Sequence, residues 1–210
     1  MTLGRPAMRR DISRTLIFTM LGALVCASAC HRDASARNPI DAARGRRCIS
    51  DLRFVDQDNR SIDLSSLKGK PVLVDFIYTS CPGPCEMITS RMAQVARDLD
   101  GGLGRVAYFV SFTIDPAHDR PEQLKRYSGA LDADRPGWFF LTGTSVDLER
   151  AMAPFGLQRK VSADGDPDHV LAFFLLDREG REVYRYDATR IEARVVAAAI
   201  RKLASSSSSP

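Results

Sequence analysis

Cys81 and Cys85 stand four positions apart, close enough for their thiols to act as a pair. Two thiols this close can form a disulfide, exchange with one on another protein, or hold a soft metal ion as thiolates. Where such a segment is helical or nearly so, residues at i and i+4 share a face with Cβ atoms roughly 5–6 Å apart. That separation suits a disulfide and equally suits two sulfurs converging on one ion. The flanks say what must position the pair. Val72 to Tyr78 (VLVDFIY) is a run of strand formers with one polar interruption, which predicts a strand buried on both faces of a sheet. Beyond the pair, Ile88, Met92, Val95, Ala96 and Leu99 recur at helical spacing. Pro82 and Pro84 fit a helix start, where backbone N–H groups lack an intrahelical partner and proline loses nothing. The pair is therefore predicted at a strand-to-helix junction.

The beginning of the chain bears on where this chemistry happens. Arg5, Arg9, Arg10 and Arg14 stand against the single acid Asp11, ahead of the uncharged run Thr15 to Ala29, so residues 1–30 read as a secretory leader. The run is shorter than the ~20 residues a membrane-spanning helix usually needs. Ala27-Ser28-Ala29 fits ordinary cleavage, while Cys30 directly after it resembles a bacterial lipobox, with Cys30 as the lipidated first residue. An uncleaved anchor is the third alternative. Residues 31–47 are polar and Arg-rich without hydrophobic period, a tether or linker. Residues 205–210 are a low-complexity tail, expected to be disordered. The remaining stretch, 48–204, suits one domain with a core of its own.

Charge and cysteine count narrow the function classes. Three of the four net positive charges lie in the leader, so the exported part is nearly neutral and makes no case for nucleic-acid binding. Of five cysteines at 26, 30, 48, 81 and 85, only the last two form a close pair once the leader and lipid site are set aside. One pair is too few for a disulfide-built scaffold and reads as chemistry. Cys48 reads as a minor structural residue.

The domain alternates strands and helices. Leu52 to Val55 and Ser61 to Leu64 read as an N-terminal hairpin around Asp56 to Arg60, and strand 72–78 leads into a helix at about 85–99. Then come a buried strand at 105–114, a helix at 121–131, a short strand at 138–141, and a helix at 145–155 capped by Ser145. Strands at 170–176 and 181–186 join through Asp177 to Gly180, and a closing amphipathic helix spans 191–203. This order predicts an α/β class, three-layer α/β/α, thioredoxin-like, with an N-terminal hairpin extension.

The spacing departs from ordinary thioredoxins, which carry C-x-x-C, whereas this chain has C-x-x-x-C. From about Phe54 to Leu203 the chain resembles the Sco/SenC family of copper-binding thioredoxin-fold proteins. The likeness is carried by Leu67-Lys-Gly-Lys-Pro71, Phe76-Ile-Tyr-Thr-Ser-Cys81-Pro-Gly-Pro-Cys85, Ser111-Phe-Thr-Ile-Asp-Pro116 with Asp119-Arg-Pro121 and Leu124, and Asp168-His169. The resemblance implies that Cys81 and Cys85 are thiolate ligands and His169 an imidazole ligand of copper, as Cu(I) or Cu(II). Glu86 stands where the family often has proline; it leaves those ligands intact and adds a negative charge. The resemblance further implies a metallochaperone on the periplasmic side of a bacterial membrane, tethered by a lipid or an uncleaved anchor. Its partner would be cytochrome c oxidase subunit II, whose copper A centre it would help assemble, or another copper-accepting protein.

The donor set agrees with this on chemical grounds. Thiolates suit Cu(I) and imidazole suits Cu(II). Structural zinc closes four protein ligands, and no fourth Cys or His stands nearby in the sequence. The rival reading is a thiol–disulfide oxidoreductase in which Cys81 and Cys85 are a redox-active pair without stable metal. The peroxiredoxin pattern P-x-x-x-T-x-x-C is absent, since Thr79 stands two before Cys81. Asp164, Asp166 and Asp168 open a calcium-loop pattern that fails at His169, where glycine is needed, and at Leu175, where glutamate is needed. His118 reads as a solvated loop histidine.

Overall fold

The computed structural model describes Met1, residues 52–158 and residues 170–206. The chain divides into Met1–Arg37 and Asn38–Pro210, and every element below belongs to the second unit. The leader beyond Met1, Cys30, the linker, Cys48, the acidic run Asp164 to Asp168, and His169 lie outside the described residues.

The strands are β1 (Arg53–Val55), β2 (Ser61–Asp63), β3 (Val72–Ile77), β4 (Tyr108–Thr113), β5 (Trp138–Leu141), β6 (Ala172–Leu176) and β7 (Glu182–Asp187). The helices are α1 (Pro84–Asp98), α2 (Pro121–Ala130), α3 (Ser145–Met152) and α4 (Ala193–Ser205). β1 and β2 form the expected hairpin, and the other strands make one sheet in the order β5-β4-β3-β6-β7. β4 runs parallel to both β3 and β5, whereas β6 pairs antiparallel with β3 and β7. All six residues of β3 are buried, as its run of strand formers, broken only by Asp75, requires at the centre of a sheet covered on both faces.

Alternation along the strands sorts the core into two halves. One face carries Phe76, Phe112 and Phe174, packed edge-on or stacked with one another and with Phe54 of β1 and Phe155. The opposite face carries Phe109, Trp138 and Phe140, with Tyr127 of α2 against Phe140. There Thr89 of α1 hydrogen-bonds Tyr127 of α2 at 2.9 Å, and α1 packs along α4. Helices α1, α2 and α4 thus cover one face, while the hairpin and Phe155, just after α3, pack on the other. This is the thioredoxin-like α/β/α order expected from the sequence.

Several boundaries differ from the expectation, each for a local reason. β4 begins at Tyr108 because the backbone just before it is used by a tight turn: Val106 N–H donates to Gly102 O at 2.6 Å and Gly104 N–H to Ala107 O at 2.8 Å. The helix expected over 145–155 is α-helical only to Met152; Pro154 removes a donor, and the chain tightens into a 3-10 turn, Ala153–Phe155. Its cap is Thr144, not Ser145, since the Thr144 hydroxyl accepts from Asp147 N–H. β6 begins at Ala172, two residues later than expected. No described helix is long and apolar enough to cross a membrane.

Candidate metal centre

β3 ends at Ile77 and α1 begins at Pro84, so residues 78–83 carry the chain from sheet to helix. Tyr78 is buried, Cys81 N–H donates to Tyr78 O at 3.3 Å, and Gly83 N–H donates to Cys81 O at 2.9 Å. Gly83, the residue capping α1, has φ +106°, which L side chains rarely adopt, although a Cβ there would meet nothing within 4 Å. The backbone conformation, not crowding, therefore selects glycine.

A glycine cap offers no side chain to the first-turn N–H groups, which need partners from elsewhere. Cys85 N–H finds one in Cys81 Sγ, at 3.2 Å. Cys81 thus lies in the turn and Cys85 in the first turn of the helix, joined by this bond instead of by a shared helical face. Both are free thiols and both are buried. Burial pushes the Cys85 thiol well above its ordinary range, and the adjacent Cys81 sulfur pushes the same way. A buried dithiol of this kind resists becoming dianionic unless a cation arrives to compensate the charge.

The surroundings include two features with no signal in sequence spacing. Asp75 sits mid-way along β3, fully buried, and neither carboxylate oxygen has a hydrogen-bond partner. Burial pushes its carboxyl up to about 7, and the nearby Ser111 hydroxyl across the register pulls the other way without making a bond of good geometry. The second feature is the Thr89–Tyr127 hydroxyl pair, where burial pushes the Tyr127 phenol up. An acid interrupting a strand of otherwise apolar residues is the one trace of Asp75 in the sequence.

Of the residues singled out in the sequence, the structure brings Cys81 and Cys85 together. His118 is exposed on its loop, with Nδ1 2.8 Å from Asp115 Oδ2. Among the described residues no group of three or more His, Cys, Asp or Glu could hold a metal ion. The described part of the site therefore offers two sulfur donors, which fit a soft monovalent ion such as Cu(I) and fall short of a closed zinc site.

A central sheet bearing a free dithiol where its middle strand enters a helix defines the class: a thioredoxin-like protein with a C-x-x-x-C site. The chain belongs to the SCO1/SenC family, whose pattern it matches over residues 41–205. It is 30% identical over 142 residues to the SCO1 protein homolog of Bacillus subtilis, covering 66% of this chain and 73% of that one. Among solved structures it is similar to a SCO1/SenC family lipoprotein from Bacillus anthracis, with TM-score 0.67 and 27% identity over 73% of this chain and 92% of that one. It is also similar to Bradyrhizobium japonicum ScoI with copper bound, at TM-score 0.62 and 26% identity, over 72% of this chain and 96% of that one. BsSco, described as a Sco-family cytochrome c oxidase assembly protein with a disulfide switch, gives TM-score 0.65 and 26% identity, over 76% of this chain and 94% of that one.

Proposed function

We propose that this chain is a copper chaperone in cytochrome c oxidase assembly, taking up copper through Cys81, Cys85 and His169 and passing it to a copper-accepting partner, subunit II of the oxidase. The observation that carries the reading is the buried dithiol itself. Two sulfurs are held together by a backbone bond in a buried, low-dielectric setting where a cation compensates the thiolates and water does not. The copper-bound ScoI structure and the oxidase-assembly role stated for BsSco support it.

Register supports including His169. β6 pairs antiparallel with β3, with Val72 opposite Leu176 and Val74 opposite Phe174. Antiparallel pairing therefore points the start of β6, and Val170 and Leu171 before it, toward the end of β3 where the cysteine turn begins. His169 immediately precedes Val170 in the chain. An imidazole from there would add the nitrogen donor that Cu(II) takes readily. Exported, membrane-tethered placement through Cys30 completes the reading, in keeping with the lipoprotein relative.

The test measures metal content and thiol state on one anaerobically purified sample. One copper per reduced chain, and none once Cys81 and Cys85 are joined, is the expected result, because the disulfide sulfurs no longer offer thiolate lone pairs. The same close, free pair favours a second reading, thiol–disulfide exchange on partner cysteines. In that step two thiols of this chain become a disulfide while the partner's disulfide becomes two thiols. Rapid reduction of a model disulfide by a protein that takes up no copper would select it.

A further inference from the structure

Asp119 lies 40 residues beyond Thr79, on the loop between β4 and α2, and is fully buried. Its carboxylate accepts three hydrogen bonds. Oδ2 accepts Thr79 N–H at 3.0 Å and the Thr113 hydroxyl at 2.5 Å, and Oδ1 accepts the Thr79 hydroxyl at 2.5 Å. Both donors of Thr79 are therefore committed to one side chain. The carboxylate is in turn held by its own backbone, since Asp119 N–H donates to Asp115 O at 2.9 Å and Asp115 N–H donates to the Thr113 hydroxyl oxygen at 2.9 Å. Thr113 closes β4 directly opposite Ile77, the last residue of β3. The network runs without a break from the end of the parallel strand pair, through Asp119, to the residue two before Cys81.

We infer that Asp119 is the positioning residue of the dithiol, clamping the Thr79–Ser80 turn so that the Cys81 sulfur stays seated against the Cys85 N–H. The turn itself is otherwise ill suited to hold a sulfur in place. Ser80, Pro82 and Gly83 face solvent, and the backbone bonds of Cys81 and Gly83 are local ones that move with the turn. A carboxylate anchored to the sheet supplies the fixed reference. Groups that orient metal-binding side chains from behind typically change metal affinity about 10–100-fold when removed. The inference about copper affinity rests on the copper reading above; the inference about the turn does not.

The chemistry of the clamp distinguishes geometry from charge. An Asn side chain can keep all three contacts: its oxygen accepts Thr79 N–H and the Thr113 hydroxyl, while its amide N–H donates to the Thr79 oxygen, whose hydroxyl proton rotates away. Ala keeps none. Val at position 79 keeps the N–H bond and the β-branched shape but loses the hydroxyl bond.

The experiment uses the full chain, reduced and metal-free, carrying Asp119→Asn, Asp119→Ala or Thr79→Val. Iodoacetamide alkylation of Cys81 is followed peptide by peptide, and Cu(I) affinity is measured against a chromophoric chelator. Denaturant unfolding of each variant gives its global stability. Asp119→Ala and Thr79→Val should alkylate at Cys81 about tenfold faster or more and bind Cu(I) about 10–100-fold more weakly. Asp119→Asn should stay within about threefold of wild type in both. Unchanged alkylation in folded Asp119→Ala and Thr79→Val would overturn the proposal, leaving Asp119 a loop anchor only. Asn behaving like Ala would overturn it in favour of a charge effect. If Asp119→Ala does not fold, Thr79→Val decides. A wild type that takes up no Cu(I) would refute the copper reading, and the alkylation arm would still decide the role of Asp119.

Discussion

Asp75→Asn should stabilise the fold at neutral pH and change it little at pH 4. In the unfolded chain the carboxyl titrates near 3.8; in the fold, burial without a hydrogen-bond partner pushes it up to about 7. Between those values the folded state keeps a proton that the unfolded state has released. Stability from this group is therefore complete below pH 3.8, falls as pH rises, and levels off above about 7. At about 1.4 kcal/mol per unit, the three-unit gap amounts to about 4 kcal/mol lost by neutral pH. Asn matches the neutral acid in shape and carries no charge to desolvate, so the variant escapes that loss. Urea unfolding of reduced, metal-free wild type and Asp75→Asn at several values from pH 4 to 8 should give a stability difference growing from near zero to about 4 kcal/mol in favour of Asn. Burial also raises the Asp119 carboxyl, but that slope is common to both proteins and cancels in the difference. A difference independent of pH, or a wild type more stable than the variant at pH 8, would show that Asp75 is not held protonated by burial.

Three further outcomes follow from the same structure and sequence. His169→Ala should retain appreciable Cu(I) binding, which two thiolates satisfy, yet lose most Cu(II) affinity and the thiolate-to-Cu(II) absorption in the visible, while Cys81→Ser or Cys85→Ser impairs both. His118→Ala should change neither, and equal Cu(II) titrations for wild type and His169→Ala would remove His169 from the site. Cys30→Ser should release the chain from membranes without altering its fold, as membrane fractionation with mass analysis of the mature N-terminus would show; an unmodified N-terminus in the wild type would end the lipid assignment. Gly137→Ala should lower stability by about 1–3 kcal/mol or more, because φ is +90° and a Cβ would collide with Gly104 N, backbone that cannot swing aside. Gly129→Ala, in α2 with nothing within 4 Å, should instead stabilise by about 0.5–1 kcal/mol, and thermal melts of the two variants moving the same way would contradict this account.

Much of the fold and the centre of the site were legible in the residue string because they depend on local periodicity. The apolar run Val72 to Ile77, the helical spacing from Ile88 to Leu99, and the prolines flanking the cysteines place Cys81 and Cys85 at a strand–helix junction without any tertiary information. Short-range backbone competition was less legible: whether Thr144 or Ser145 caps α3 turns on which hydroxyl reaches Asp147 N–H, and spacing alone offers both. Contacts between residues far apart in the chain, by contrast, follow from how the elements pack. The antiparallel insertion of β6 beside β3 brings the chain after His169 to the end of the sheet that bears the cysteines. Asp119 meets Thr79 across 40 residues because parallel pairing sets the ends of β3 and β4 side by side. Asp75 is isolated from solvent because helices close over the face of the sheet to which it points. Each depends on how elements stack, and a side chain's free energy in the fold depends on what that stacking puts around it, which no spacing of residues along the chain encodes.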